Sequence, residues 1–188
     1  MCDTEKTETL DKKIQESFLS RREVFLWTAV DDKLAKEIVQ QLFYLDSLSN
    51  DPITLYINSP GGSVIAGCAI LDAMDAVVSP IKTVVTGFAA SMGAIIQSNG
   101  TPGMRYAWPR AKIMIHQPLI SGHIQGVTSD ISIRADQIEK TRLNLNQHLA
   151  KVTGQTLEKV IKDTDRDYWM TSDEALAYGM IDHIGATR

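Results

Sequence analysis

Ser91 lies in the stretch Gly87-Phe88-Ala89-Ala90-Ser91-Met92-Gly93, between a β-branched run (81–86) and small, apolar residues at helical spacing. A serine where a strand ends and a helix begins has an accessible hydroxyl, and the backbone N–H groups beside it are unpaired. Its plainest role there is a helix cap. Its chemical role would be that of a nucleophile, which needs a base to take its proton and a third group to hold the base. Of the four histidines, His148 falls mid-helix among polar residues, His123 in a stretch without a clean period and His183 near the C-terminus. His116 alone follows an apolar strand-like run (111–115) and precedes Gln117-Pro118, which leaves its ring at a strand tip. Asp163, Asp165 and Asp167 compete to orient the imidazole. Spacing does not choose among them, and Tyr168-Trp169 gives Asp167 the more sheltered setting. In Ser59-Pro60-Gly61-Gly62 the backbone can approach a ligand with no Cβ in the way. The Gly62 N–H and the Met92 N–H would then form an oxyanion hole, one donor of which is typically worth about 2.7–4 kcal/mol.

These residues need a scaffold that brings strand ends together, and the hydrophobic pattern describes one. Residues 23–30 read as a first buried strand, and Asp31-Asp32 caps a helix that turns Leu34, Ile38, Val39, Leu42 and Phe43 inward until Pro52 closes it. Two units of one design follow. Residues 53–58 form a strand, 59–62 a turn and 64–77 a helix; residues 81–86 form a strand, 87–90 a turn and 91–97 a helix. Strand–helix–strand–helix with short joins is the sequence form of parallel βαβ units, so the fold class is α/β. In open α/β sheets ligands gather beyond the carboxyl ends of the strands, where Ser91 and His116 both fall. Short strands at 104–107 and 111–115 precede a connection at 119–128, a long helix over about 130–152 ended by Gly154, and a short helix over about 156–162. A capping box, Thr171-x-x-Glu174, opens the last helix, which Gly179 stops. Residues 1–9 are polar and expected to be disordered, ahead of a weak helix with Leu10, Ile14 and Phe18 on one stripe; residues 10–188 read as a single domain.

Composition narrows the function further. With 188 residues, 44% of them hydrophobic, the chain can bury a substantial core. A net charge of −4 disfavours nucleic acid or an anionic membrane as partner. No apolar run is long enough to span a bilayer and the N-terminus has no apolar signal core, so a reduced cytoplasmic protein is expected. Cys2 lies in a polar tail and Cys68 in a helical apolar run, an arrangement that does not suggest a bridge. Cys68 reads as core rather than nucleophile. No metal-ligand cluster, phosphate loop or dinucleotide fingerprint is present. The α/β-hydrolase elbow fits poorly, because position 89 is alanine and the order runs Ser, His, Asp.

Four motifs in order, Tyr56-Ile-Asn-Ser-Pro-Gly-Gly62, Gly87-Phe-Ala-Ala-Ser-Met-Gly93, Met114-Ile-His-Gln-Pro-Leu119 and Asp165-Arg-Asp167, resemble the proteolytic subunits of the Clp protease, the ClpP family, over about residues 24–185. The resemblance implies a ClpP/crotonase-like fold of repeated βαβ units with a protruding strand-plus-long-helix handle at about 119–152. It also implies a serine endopeptidase. Its subunits would stack as two seven-membered rings around a chamber fed with unfolded polypeptide by an AAA+ unfoldase. ATP would be used by that partner, and this chain would need no cofactor or metal. Residue by residue, the resemblance makes Ser91 the nucleophile, His116 the base, Asp167 its orienter, and Gly62 and Met92 the oxyanion-hole amides. Leu119 becomes a backbone site for extended substrate, and Asp165 and Arg166 become inter-ring contacts.

The chain departs from the family pattern at three places: an acidic, Thr-rich N-terminus in place of the segment that forms axial pore loops, Thr54 where an aromatic commonly helps receive the unfoldase, and Leu-Ile-Ser-Gly-His-Ile in a slightly longer handle. Two other readings follow. One is a structural or regulatory ring subunit working with a ClpP paralogue. The other is a crotonase-type acyl-CoA enzyme, which the serine–histidine pair and the lack of a basic site for CoA phosphates both disfavour.

Overall fold

A computed structural model describes residues 2–119 and 126–185. Helix α1 (Cys2–Ser20) begins well ahead of the expected Leu10. The polar stretch 2–9, expected to be disordered, is helical, and no proline or glycine interrupts it. Its last turn brings Phe18 edge-on to Phe25 at 4.7 Å, and Phe25 stacks on Tyr56 at 5.2 Å.

Strand β1 (Glu23–Leu26) ends earlier than the run 23–30 suggests. Val30 leaves the strand to bridge Gly62: its N–H donates to Gly61 O at 2.8 Å and its carbonyl accepts from Ser63 N at 2.8 Å. Asp31 caps α2 (Asp32–Leu48) by accepting from Leu34 N at 2.8 Å. Ala35, Ile38, Leu42 and Leu45 form the buried stripe of that helix. Phe43, expected inward, is exposed because it stands one residue, about 100°, round from Leu42. Strand β2 (Ile53–Ser59) alternates strictly, with Ile53, Leu55, Ile57 and Ser59 buried and the intervening residues half-buried. Helix α3 (Val64–Ala76) then crosses to β3 (Ile81–Ala90), which pairs parallel with β2.

Strand β3 does not turn at residues 87–90 as expected. The chain bends at Gly87 (φ 78°) and keeps its strand form to Ala90, because a second neighbour is waiting there. Thr83–Val85 pair with β4 (Arg105–Ala107), and Phe88–Ala90 pair with β5 (Lys112–Ile115). Every residue of α4 (Met92–Ser98) is buried, and its start lies close on β2: a Cβ on Gly93 would fall 3.2 Å from Ser59 O.

Helix α5 (Thr128–Thr153) is mostly exposed and buries only Asn146 and Leu149, near the end that packs on α4 and on α6 (Leu157–Asp163). The handle entry at 120–125, including His123, lies outside the described residues. Strand β6 (Tyr168–Thr171) pairs antiparallel with β5. It is a strand the sequence reading did not separate, because of its four residues only Met170 is buried and no hydrophobic alternation marks it. The capping box at Thr171 and Glu174 opens α7 (Ser172–Tyr178), and β7 (His183–Ile184) adds to β4. The sheet order is β1-β2-β3-β4-β7, with β5 and β6 branching from the upper half of β3.

One ion pair ties the far edge of this sheet to α5. Arg105 donates to Asp182 through Nε (3.0 Å) and Nη2 (2.6 Å), and through Nη1 to Val152 O (2.9 Å) at the end of α5. Burial pushes the Asp182 carboxyl up, but the hydrogen bonds and charge of Arg105, with the Gly103 N–H, outweigh it and hold the pKa below the usual carboxylate range. A carboxyl held low stabilises the fold above its unfolded pKa, and this contribution is lost as pH falls through the folded value. Asp182→Asn should therefore cost about 2–3 kcal/mol near neutral pH, a fall of about 4–12 °C in thermal midpoint. The gap from wild type should close as pH drops below the carboxylate range. Melting curves of both proteins from pH 7 to pH 3 check this, and a constant gap would contradict it.

Candidate active site

The two branches of the sheet meet at Ser91. Strand β3 delivers it at a carboxyl end, and its N–H donates to Met114 O at 2.9 Å, continuing the β3–β5 pairing by one residue. Its backbone is then forced to turn into α4 with φ 54° and ψ −125°, a conformation costly for a residue with a Cβ. The hydroxyl makes no capping bond to α4. It lies instead 2.8 Å from His116 Nε2.

His116 follows β5, the strand paired parallel to β3, so the two side chains leave neighbouring strands at the same edge. The antiparallel β5–β6 register pairs Ile115 with Tyr168, and the next positions outward are His116 and Asp167. This register, not shelter, selects among the three aspartates. Asp167 accepts from His116 Nδ1 at 3.0 Å although its side chain is 60% exposed, while the His116 side chain is 10% exposed. Asp163 is engaged elsewhere, by Lys159 and the Tyr178 hydroxyl.

The Gly61-Gly62 turn lies directly on the serine. A Cβ on Gly61 would fall 2.7 Å from Ala90 O and from Ser91 Cβ, and 2.8 Å from Met92 N. One on Gly62 would meet Val30 O at 2.3 Å. Positive φ at both (87° and 149°) closes the same door to other residues. Ser59 supports the turn, accepting from Gly61 N at 3.1 Å and donating to Thr28 O at 2.6 Å. Among the described residues the N–H groups of Gly62 and Met92 have no hydrogen-bond partner. Gly61 as a wall of the site and Ser59 as its brace went unread in the sequence, although both stand in the Ser-Pro-Gly-Gly motif.

A cleft of about 300 Å³ beside the histidine is lined by His116, Leu119, Asp165, Arg166 and Asp167, among others. Leu119 is 75% exposed at its mouth. Asp165 and Arg166 point to solvent and form a loose pair at 3.6 Å. A second serine–histidine contact, Ser98 Oγ to His148 Nε2 at 3.3 Å, differs in kind. Ser98 is buried with its hydroxyl donating to Ile95 O, and burial first, then Lys151, holds the His148 pKa down despite Asp75. No group of three or more metal-ligating side chains is assembled among the described residues, and no helix there is long and apolar enough to cross a membrane.

An α/β sheet that presents a serine, a histidine and an aspartate in one hydrogen-bonded line beside free backbone N–H groups has the form of a hydrolase site. The family model described as Clp protease matches residues 5–188. The chain is 51% identical over 166 residues to the ATP-dependent Clp protease proteolytic subunit 2 of Prochlorococcus marinus (strain NATL2A), covering 88% of this chain and 82% of that protein. It is also 51% identical over 164 residues to the proteolytic subunit 3 of Synechococcus sp. (strain CC9902), covering 87% and 82%. The chain belongs to the Clp protease family, and is of the peptidase kind.

Gly61→Ala should lower the turnover of a fluorogenic peptide by about 10²–10³-fold, the scale of losing one oxyanion donor, because the loop must retreat from Ser91. Gly103→Ala is the control. It has the same positive φ (83°) with nothing within 4 Å, so it should keep its activity. Equal losses in the two variants would rule out loop displacement as the cause.

Proposed function

We propose that the chain is an ATP-dependent Clp protease proteolytic subunit acting as a serine endopeptidase, with Ser91 as nucleophile, His116 as base and Asp167 as orienter. The unbroken line Ser91 Oγ–His116–Asp167, at 2.8 and 3.0 Å, carries this reading. His116 Nε2 takes the hydroxyl proton as Ser91 Oγ adds to the peptide carbonyl carbon. The developing oxyanion is received by the Gly62 and Met92 N–H groups, which need not leave other partners to do so. As the C–N bond breaks, His116 returns the proton to the leaving amine, and water activated by the same histidine hydrolyses the acyl-enzyme. Asp167 holds the Nδ1–H tautomer through both steps.

In this reading the backbone at Leu119 pairs with extended substrate, and Asp165 and Arg166 reach across to a second ring. The assembly is two stacked rings of seven, an AAA+ unfoldase supplies unfolded polypeptide, and that partner uses the ATP, so the chain itself takes no cofactor. The working compartment is the cytoplasm, where Cys68 stays a thiol. A second reading, a ring subunit that works mainly within a barrel shared with a paralogue, is favoured by α1 at the N-terminus and by Thr54, and by relatives whose names number their subunits.

A fluorophosphonate probe applied to the assembled protein should label Ser91 alone and leave Ser98 unmodified. Ser91→Ala should abolish labelling, and Asp167→Asn should lower peptidase turnover by about 10³–10⁴-fold. An unlabelled Ser91 in a particle of full mass would overturn the serine-peptidase reading. Copurification of a paralogue, with activity only in the mixed particle, would favour the second.

A further inference from the structure

The two N–H groups that would receive the oxyanion come from separate turns, Gly62 from the one before α3 and Met92 from the one before α4. Such donors work only when held at about 2.7–3.1 Å from the place where the charge forms. Something must therefore keep the start of α4 in step with the start of α3. Gly62 is followed directly by Ser63, the N-cap of α3, whose carbonyl accepts from Gly67 N at 3.0 Å. Gly67 is buried inside this helix, where glycine is a poorer choice than alanine unless packing requires it.

Packing does require it. A Cβ on Gly67 would meet Met92 Cγ, with Met92 Cε at 2.6 Å and Sδ at 2.8 Å. The Met92 side chain is 2% exposed and lies along its length against the bare backbone of Gly67. A methionine bends easily round an obstacle at its tip. Here the overlap begins at Cγ, next to the backbone, so a side chain driven from this seat carries its own N–H with it. The start of α4 is closed in from two other sides: a Cβ on Gly61 would fall 2.8 Å from Met92 N, and one on Gly93 3.2 Å from Ser59 O.

We infer that Gly67 is a positioning residue for the oxyanion hole: its missing side chain is the seat that holds Met92, and so ties the Met92 donor to the segment that carries the Gly62 donor. This inference rests on the serine-peptidase reading above. Gly67 acts through the Met92 side chain and not by contact with substrate.

Gly67→Ala fills the seat, Met92→Ala empties it, and the double variant puts the added methyl where the methionine was. The readouts, on particles of wild-type mass, are kcat and KM on a short fluorogenic peptide and Ki for a matching peptide boronate. The boronate adds to Ser91 Oγ and places a boron-bound oxygen at the oxyanion position. Gly67→Ala should lower kcat by about ten-fold or more with KM within about two-fold of wild type, and raise the boronate Ki by a similar factor, because the displaced donor serves the tetrahedral state alone. Met92→Ala should shift kcat and Ki in the same directions by about three-fold or more, and the double variant should recover about three-fold or more in kcat over Gly67→Ala. A glycine kept only for core packing predicts a lower melting temperature in Gly67→Ala with wild-type kcat and Ki, and that result overturns the inference. Losses that multiply in the double variant overturn it as well. Should Gly67→Ala fail to assemble, Met92→Ala decides, and an unchanged Ki there overturns the inference. Failure of the underlying reading is distinct, because boronate and fluorophosphonate would then both leave Ser91 of the wild-type particle unmodified.

Discussion

Everything at the site depends on β5 pairing in two directions at once. Its parallel pairing with β3 sets Ser91 beside His116, and its antiparallel pairing with β6 sets Asp167 opposite His116. A slip of one residue in either ladder would turn the relevant side chain to the other face of the sheet. Three residues from distant parts of the chain thus form one line because a four-residue strand has two fixed neighbours.

The same pairing restrains the strained turn at Ser91. A non-glycine residue at positive φ costs on the order of 1–3 kcal/mol and persists only where its surroundings over-determine it. Here the surroundings are the bond from Ser91 N to Met114 O on one side and a wholly buried α4 on the other. The first turn of that helix leaves the Met92 N–H without a partner among the described residues, and the Gly61-Gly62 turn is pressed onto it by Ser59 and Val30. Strain and unpaired donors sit together because both follow from a chain that changes from strand to helix with no room for a loop.

Away from the site the molecule is unfinished as a lone subunit. Along α5, Ile131 and Ile133 are exposed, as is Val127 just before it, and on the sheet side so are Trp108 and Trp169. Members of the Clp protease family, to which the chain belongs, assemble into rings, where such residues can be covered. The Arg105–Asp182 pair anchors the end of α5 to the sheet, and Asn146 anchors it to the segment that carries Asp167.

Local chemistry in the sequence was enough to determine the strand–helix units and the caps at Asp31 and Thr171, and to single out Ser91 and His116 as candidates, because each depends on residues close in the chain: β-branched runs, small residues at a tight turn, a proline after a strand. The extent of β3 and β1, the existence of β6, the outward face of Phe43 and the helicity of residues 2–9 were decided by partners or by the absence of a helix breaker, which composition alone did not weigh. Asp167 is the clearest case. The sequence favoured it for shelter it does not have, and the tertiary structure selects it by register, since only the pairing of β5 with β6 says which of three nearby aspartates stands opposite His116. Strand registry is a long-range property, and no spacing within 163–167 encodes it.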